Sequence, residues 1–153
     1  MSAIADFQQA QAYLLGTINE TASVRTEYKL ERIEHLLHRL GDPHLAYPTV
    51  HVGGTSGKGS TSTMIAAALQ TAGKRTALHT KPHLHSPTER ARIDGIPVAE
   101  QRFAELLDDM MPAIEQTAGA GFGRPTFYET LLSLAFLHFA REAVDVAVIE
   151  VGL

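Results

Sequence analysis

Apolar side chains recur every three or four residues over some stretches of this chain and bunch into short unbroken runs over others. Phe7, Ala10, Leu14 and Ile18 share one face of a helix predicted over 6–19. Leu30, Ile33, Leu36, Leu37 and Leu40 mark a second helix, which Gly41 should close as a C-cap. Asp42-Pro43 and Tyr47-Pro48 punctuate the connection that follows. Residues 49–52 read as a short buried strand running into a cluster of glycines. Met64, Ile65, Ala68 and Leu69 then share a helix face up to Gly73, and 75–79 gives the next strand. Strand, glycine loop, helix, strand is one βαβ unit of a parallel sheet. Prolines 82, 87 and 97 make 80–98 a loop, with a short strand or hairpin around 92–96. A helix over 99–116 buries Phe103, Leu106, Leu107 and Met110, and the glycines of 117–125 make a flexible connection. Residues 126–142 are apolar around much of the helix circumference, and 144–151 form a buried strand with Asp145 near its start and Glu150 near its end. The predicted class is a three-layer α/β fold with a parallel sheet.

Composition narrows the function. With 44% hydrophobic and 20% charged residues, the 153-residue chain is globular rather than disordered. A net charge of −4 argues against a nucleic-acid partner. No apolar run approaches the roughly 20 residues that span a bilayer. Asp6 and the surrounding Gln and Ala residues do not resemble a signal peptide, so a cytoplasmic protein with no membrane partner is expected. The absence of cysteine excludes disulfides, thiolate zinc sites and thiol nucleophiles. His35 with His38 and His83 with His85 lack a third ligand at recognisable spacing and read as surface histidines.

The chemistry concentrates in Gly54-Thr55-Ser56-Gly57-Lys58-Gly59-Ser60. Glycines permit positive φ, so that successive N–H groups can converge on one anion. A helix beginning near Lys58 aims its positive end at the same point. Lys58 adds a full charge for terminal phosphates, and Ser60 offers a hydroxyl to magnesium. The common pattern G-x-x-x-x-G-K-[ST] does not fit: its first glycine would fall at Val52, and Gly59 separates the lysine from the serine. Glu150 lies near a strand's carboxyl end, where α/β sheets collect ligands and a carboxylate can hold magnesium. Thr126-x-x-Glu129 fits a helix capping box as well as a substrate contact. Lys74, Arg75, Lys81, Arg90 and Arg92 supply local positive charge suited to anionic substrates.

The string from His51 to Ser60 resembles the ATP loop of the Mur ligase superfamily, and specifically of folylpolyglutamate synthase/dihydrofolate synthase. Leu30-Glu31-Arg32-Ile33, Thr80-Lys81-Pro82-His83-Leu84, Thr88 to Gly95, Pro125 to Glu129 and Asp145 to Leu153 resemble further motifs in that family's order. The resemblance implies the P-loop NTPase-like central ATP-binding domain of these ligases. It divides the chain into a helical lead-in (1–46), the phosphate-loop βαβ unit (48–80), a substrate loop (80–98), and helices with a magnesium strand (99–153). It further implies ATP and Mg2+ as cofactors, with dihydropteroate or folate and L-glutamate as substrates, joined through an acyl phosphate by a monomeric full-length enzyme. Gly54 to Ser60 would hold ATP, with Lys58 catalytic. Ser60 and Glu150 would hold the metal. Glu27, Tyr28, Lys29, Thr126, Phe127, Tyr128 and Glu129 would contact the pteroate, with the Phe127 or Tyr128 ring stacked on the pterin. Lys81 stands where the family has a serine that helps bind magnesium, and Ser56 replaces its asparagine. An ammonium has no lone pair and cannot ligate a cation. The family's sequence continues beyond the magnesium strand, so the reading is of a truncated, N-terminal fragment without the C-terminal domain. Such a fragment is expected to associate through an open sheet edge and to perform no ligation alone. Another Mur-type ligase and a non-catalytic nucleotide-binding module are the alternatives.

Overall fold

The computed structural model describes residues 4–21 and 30–152. Glu27, Tyr28 and Lys29 lie outside the described residues. The helices are α1 (Phe7–Thr21), α2 (Leu30–Arg39), α3 (Lys58–Thr71), α4 (Glu100–Thr117) and α5 (Phe127–Arg141). The strands are β1 (Thr49–Val52), β2 (Thr76–His79), β3 (Arg92–Ile93), β4 (Ile96–Pro97) and β5 (Val146–Glu150). The sheet runs β1-β5-β2-β3-β4. β5 lies between β1 and β2 and is parallel to both, with Val52 opposite Glu150 and His79 opposite Ile149.

The expected parallel sheet is its core, but the sheet is mixed. The β3–β4 hairpin joins the β2 edge antiparallel. Its turn is closed by Asp94 and Gly95, both at positive φ, and Asp94 Oδ1 accepts from the Thr76 N–H at 2.9 Å.

Three layers follow from which strand residues face which way. Ala77, Ala147 and Ile149 pack with the buried faces of α1, α2, α4 and α5, including Leu14, Leu36, Phe103, Met110 and Phe139. Val52, Leu78 and Val148 face the other side, which α3 covers through Ala66 with Ile65 and Leu69.

The helix-face expectations hold for Ala10, Leu14, Leu36 and Leu37, which are buried. They fail for Ile18, Leu30 and Met64, which are 42%, 70% and 65% exposed. Among the described residues α3 is the helix that packs on this side of the sheet; its contact stripe centres on Ser62 and Ala66, and Met64 lies off it. Gly41 closes α2 as expected, with φ +82 and the Asp42 N–H donating to the Leu37 carbonyl. The expected connection carries a turn over Ala118–Phe122 that breaks at Gly121 with φ +87, and the Phe122 ring lies 4.8 Å from that of His35 at a 33° tilt.

Candidate functional site

β1 delivers the chain directly into the glycine loop. Gly54 and Gly57 adopt φ +138 and +75, conformations costly for any side-chain-bearing residue, and Gly57 caps α3 without a side chain. Lys58 is the first helical residue, and its ammonium folds back to donate to the Gly54 carbonyl at 2.7 Å. The Gly57 carbonyl accepts from Thr61, so the helix starts inside the loop and aims its free N–H groups toward it. The hydroxyl-bearing Thr55, Ser56 and Ser60 are exposed around this turn.

The neighbouring strand supplies the acid. Glu150 ends β5 and is only 5% exposed. Its Oε2 would lie 3.5 Å from a Cβ placed on Gly59, so the carboxylate rests against the first turn of α3 where only a glycine's backbone intervenes. The same oxygen accepts from the Lys81 backbone N–H at 3.1 Å, which fixes the loop leaving β2. Among the described residues no cationic side chain pairs with Glu150. A buried carboxylate held by a single N–H, beside a loop of free donors, fits a divalent cation together with a polyphosphate. Glu150 and the hydroxyl of Ser60, one residue beyond Gly59, are the groups that would hold the metal.

Thr126 and Glu129 form a reciprocal capping box: Thr126 Oγ1 accepts from the Glu129 N–H at 3.2 Å, and Glu129 Oε2 accepts from the Thr126 N–H at 2.7 Å. Arg32 Nε donates to the same Glu129 oxygen at 2.8 Å, and both side chains are buried. Glu129 thus ties α2 to α5, and the two aromatics beside it diverge. Phe127 carries the Arg90 guanidinium at 5.5 Å, lies 6.4 Å from the His83 ring, and lines a cavity of about 200 Å³ with Leu14, Leu15 and Pro87. Tyr128 lies under the Lys81 ammonium and beside the His79 ring. Burial raises the Tyr128 pKa; the charge of Arg90 opposes that rise and the charge of Glu150 adds to it.

Further contacts surround this site. Ser86-x-x-Glu89 carries the same capping spacing as Thr126-x-x-Glu129, and its box is formed. The Glu89 carboxylate accepts from the backbone N–H groups of Leu84, Ser86 and His85, which hold its pKa down to about 2. His79, fully buried at the end of β2, makes a 2.7 Å hydrogen bond between Nδ1 and the Arg90 carbonyl. Burial pushes its pKa down to about 4, so the imidazole is neutral and Nδ1 is the donor. Arg90 Nε donates to His83 Nδ1 at 2.8 Å, and burial lowers the pKa of both groups. Lys74 and Arg75 instead lie at the opposite strand ends, where Arg75 pairs with Glu142 and its N–H donates to Asp145.

No protein-family model matches the chain. The dihydrofolate synthase/folylpolyglutamate synthase of Mycobacterium tuberculosis is 38% identical over 136 residues, covering 84% of this chain and 28% of that protein. The protein of the same name from Bacillus subtilis is 37% identical over 148 residues, covering 96% and 34%. A solved M. tuberculosis folylpolyglutamate synthase complexed with ADP superposes with a TM-score of 0.86 at 33% identity, covering 96% of this chain and 32% of that one. The chain therefore spans about a third of the length of the relatives it matches. In sequence and in fold, it belongs with the N-terminal, nucleotide-binding part of the folylpolyglutamate synthase/dihydrofolate synthase family.

Proposed function

We propose that this chain forms the ATP- and pteroate-binding part of an ATP-dependent ligase that joins L-glutamate to dihydropteroate or folate. The observation that carries the reading is the carboxylate of Glu150 set against the first turn of α3, beside a glycine loop whose lysine and helix end offer only donors. In this reading the loop N–H groups and Lys58 hold the β- and γ-phosphates and offset the charge that builds there during transfer. Glu150 and Ser60 would hold magnesium, which when bound would supply positive charge to offset that of the phosphates. A pteroate carboxylate oxygen attacks the γ-phosphorus as ADP leaves, and the glutamate amine then displaces phosphate, losing a proton, to form the amide.

The divergence of the two aromatics favours Phe127 over Tyr128 as the pterin contact. Phe127 opens onto a cavity of about 200 Å³ beside α1, where Leu14, Leu15 and Pro87 offer apolar surface and Gln11, His83 and His85 offer polar atoms to a flat heteroaromatic ring, whereas Tyr128 lies on the Lys81 side. Thr126 and Glu129 support Phe127 from behind by fixing the start of α5.

Calorimetric titration of the full chain tests this reading in two steps. ATP is expected to bind, and dihydropteroate to bind in the presence of a non-hydrolysable ATP analogue, with Phe127→Ala weakening the pteroate by about tenfold or more. Binding of a UDP-linked peptide instead would indicate another Mur-type ligase. ATP binding with neither acceptor would favour the non-catalytic module.

A further inference from the structure

We propose that Lys81 is a second cationic contact for the anion held at the phosphate loop, supplying from the β2 side charge that otherwise comes only from a divalent cation. The inference rests on the nucleotide reading above and adds a residue to it. Lys81 is the second residue after β2, and its backbone N–H donates to Glu150 Oε2 at 3.1 Å. That same oxygen would sit 3.5 Å from a Cβ on Gly59, so a single carboxylate separates the Lys81 backbone from the first turn of α3.

The side chain crosses the end of the sheet rather than turning out to solvent. Its ammonium stands 5.4 Å from the centre of the Tyr128 ring, within cation–π range. On its other side it lies against the backbone of Gly152, where an added Cβ would fall 2.3 Å from Nζ and 3.3 Å from Cε. The absence of a side chain at 152 is what lets the ammonium occupy this place. Among the described residues it has no carboxylate within ion-pair distance and no hydrogen-bond acceptor. An ammonium held by a ring face and a glycine, with its N–H donors unclaimed, is poised for oxygens of a bound anion. Its own backbone N–H is bonded to the acid that would hold the metal, so the ammonium's charge would act on the same phosphates as the metal's.

The consequence is a nucleotide affinity that depends less on magnesium than the loop and Lys58 alone would allow. Calorimetric titration of the full chain with ATP, once in EDTA and once in excess Mg2+, reads it without recourse to turnover. In EDTA, Lys81→Met is expected to bind at least about tenfold more weakly than the parent, and Lys81→Arg to retain most of the affinity. With Mg2+ the gap should narrow. Gly152→Ala provides an independent displacement, because it removes the ammonium's resting place without removing the charge; it should weaken binding in EDTA in the same direction. Circular dichroism and thermal midpoints close to those of the parent separate these effects from misfolding. Equal affinities of Lys81→Met and the parent in EDTA overturn the inference. If Lys58→Ala abolishes ATP binding while both Lys81 variants and Gly152→Ala are indifferent, only this inference falls. If the parent binds no ATP under either condition, the nucleotide reading falls with it.

Discussion

Lys58 offers its ammonium to the Gly54 carbonyl at 2.7 Å, so the loop already holds a cation at its centre before any anion arrives. Lys58→Ala is expected to reduce ATP affinity or phosphoryl transfer by at least about tenfold, or 1.4 kcal/mol, in a titration or single-turnover assay. Unchanged values would remove the loop from the chemistry. Glu129 has a different kind of role, because both its capping bond and its ion pair with Arg32 are buried. Glu129→Ala leaves the guanidinium buried and unpaired and should cost about 3–5 kcal/mol. Thr126→Ala, which removes only the cap, should cost about 1 kcal/mol. Urea denaturation of the two variants compares them directly, and equal losses would show that the ion pair adds nothing. His79 sets a pH dependence. With its pKa pushed down to about 4 by burial, the folded chain refuses a proton that the unfolded chain accepts from about pH 6.5 downward. Stability is therefore full above that range and falls as pH drops toward 4, by on the order of 3 kcal/mol from this group. His79→Asn keeps a donor near Nδ1 and should flatten the slope in that window, measured by urea midpoints at stepped pH. The Glu89 carboxylate, with its pKa near 2, adds its own loss only below about pH 4.5.

At the scale of elements, the phosphate loop shows best how local sequence dictates geometry. Gly54 at φ +138 and Gly57 at +75 leave a substituted residue no comfortable conformation. Gly54→Ala should therefore distort the turn and lower nucleotide affinity while the thermal midpoint shifts by only a few degrees. A variant that binds ATP normally would mean that the loop's shape is immaterial. This unit was readable in advance because strand, turn and helix are contiguous in the chain, and the same holds for the caps at Gly41 and Thr126. Contacts that join distant segments were not. The pairing of Arg32 with Glu129 spans 97 residues, and nothing in either helix's own pattern marks it. His79 looks like any residue of a short strand until the helical turn over Pro87–Arg90, leading into β3, brings the Arg90 carbonyl to its Nδ1. Met64 and Leu30 fit helical periodicity, yet they face outward because periodicity does not reveal how wide a stripe the neighbouring layer will cover.

Across the whole molecule, β5 organises both the fold and the site. It lies between β1, which enters the glycine loop, and β2, which leads to Lys81, so the ends of all three parallel strands meet at one place. Strand order was not readable, because β5 follows the other strands in the chain yet sits between the two other parallel strands in the sheet. The acid's position at a strand end was, because Glu150 follows an unbroken apolar run. Among the described residues β1 has only one strand neighbour. A polypeptide of these 153 residues is accordingly expected to self-associate through that edge in sedimentation velocity, and His51→Pro should reduce the effect. A monodisperse monomer at high concentration would contradict this. Amide-resolved NMR titration with ATP and Mg2+ reads whether an anionic nucleotide binds where these strands end. The largest shifts are expected at 53–60, 80–82 and 150–152, with the opposite strand ends around Lys74 and Arg75 unmoved. Shifts centred on Lys74 and Arg75, or none at the glycine loop, would contradict it.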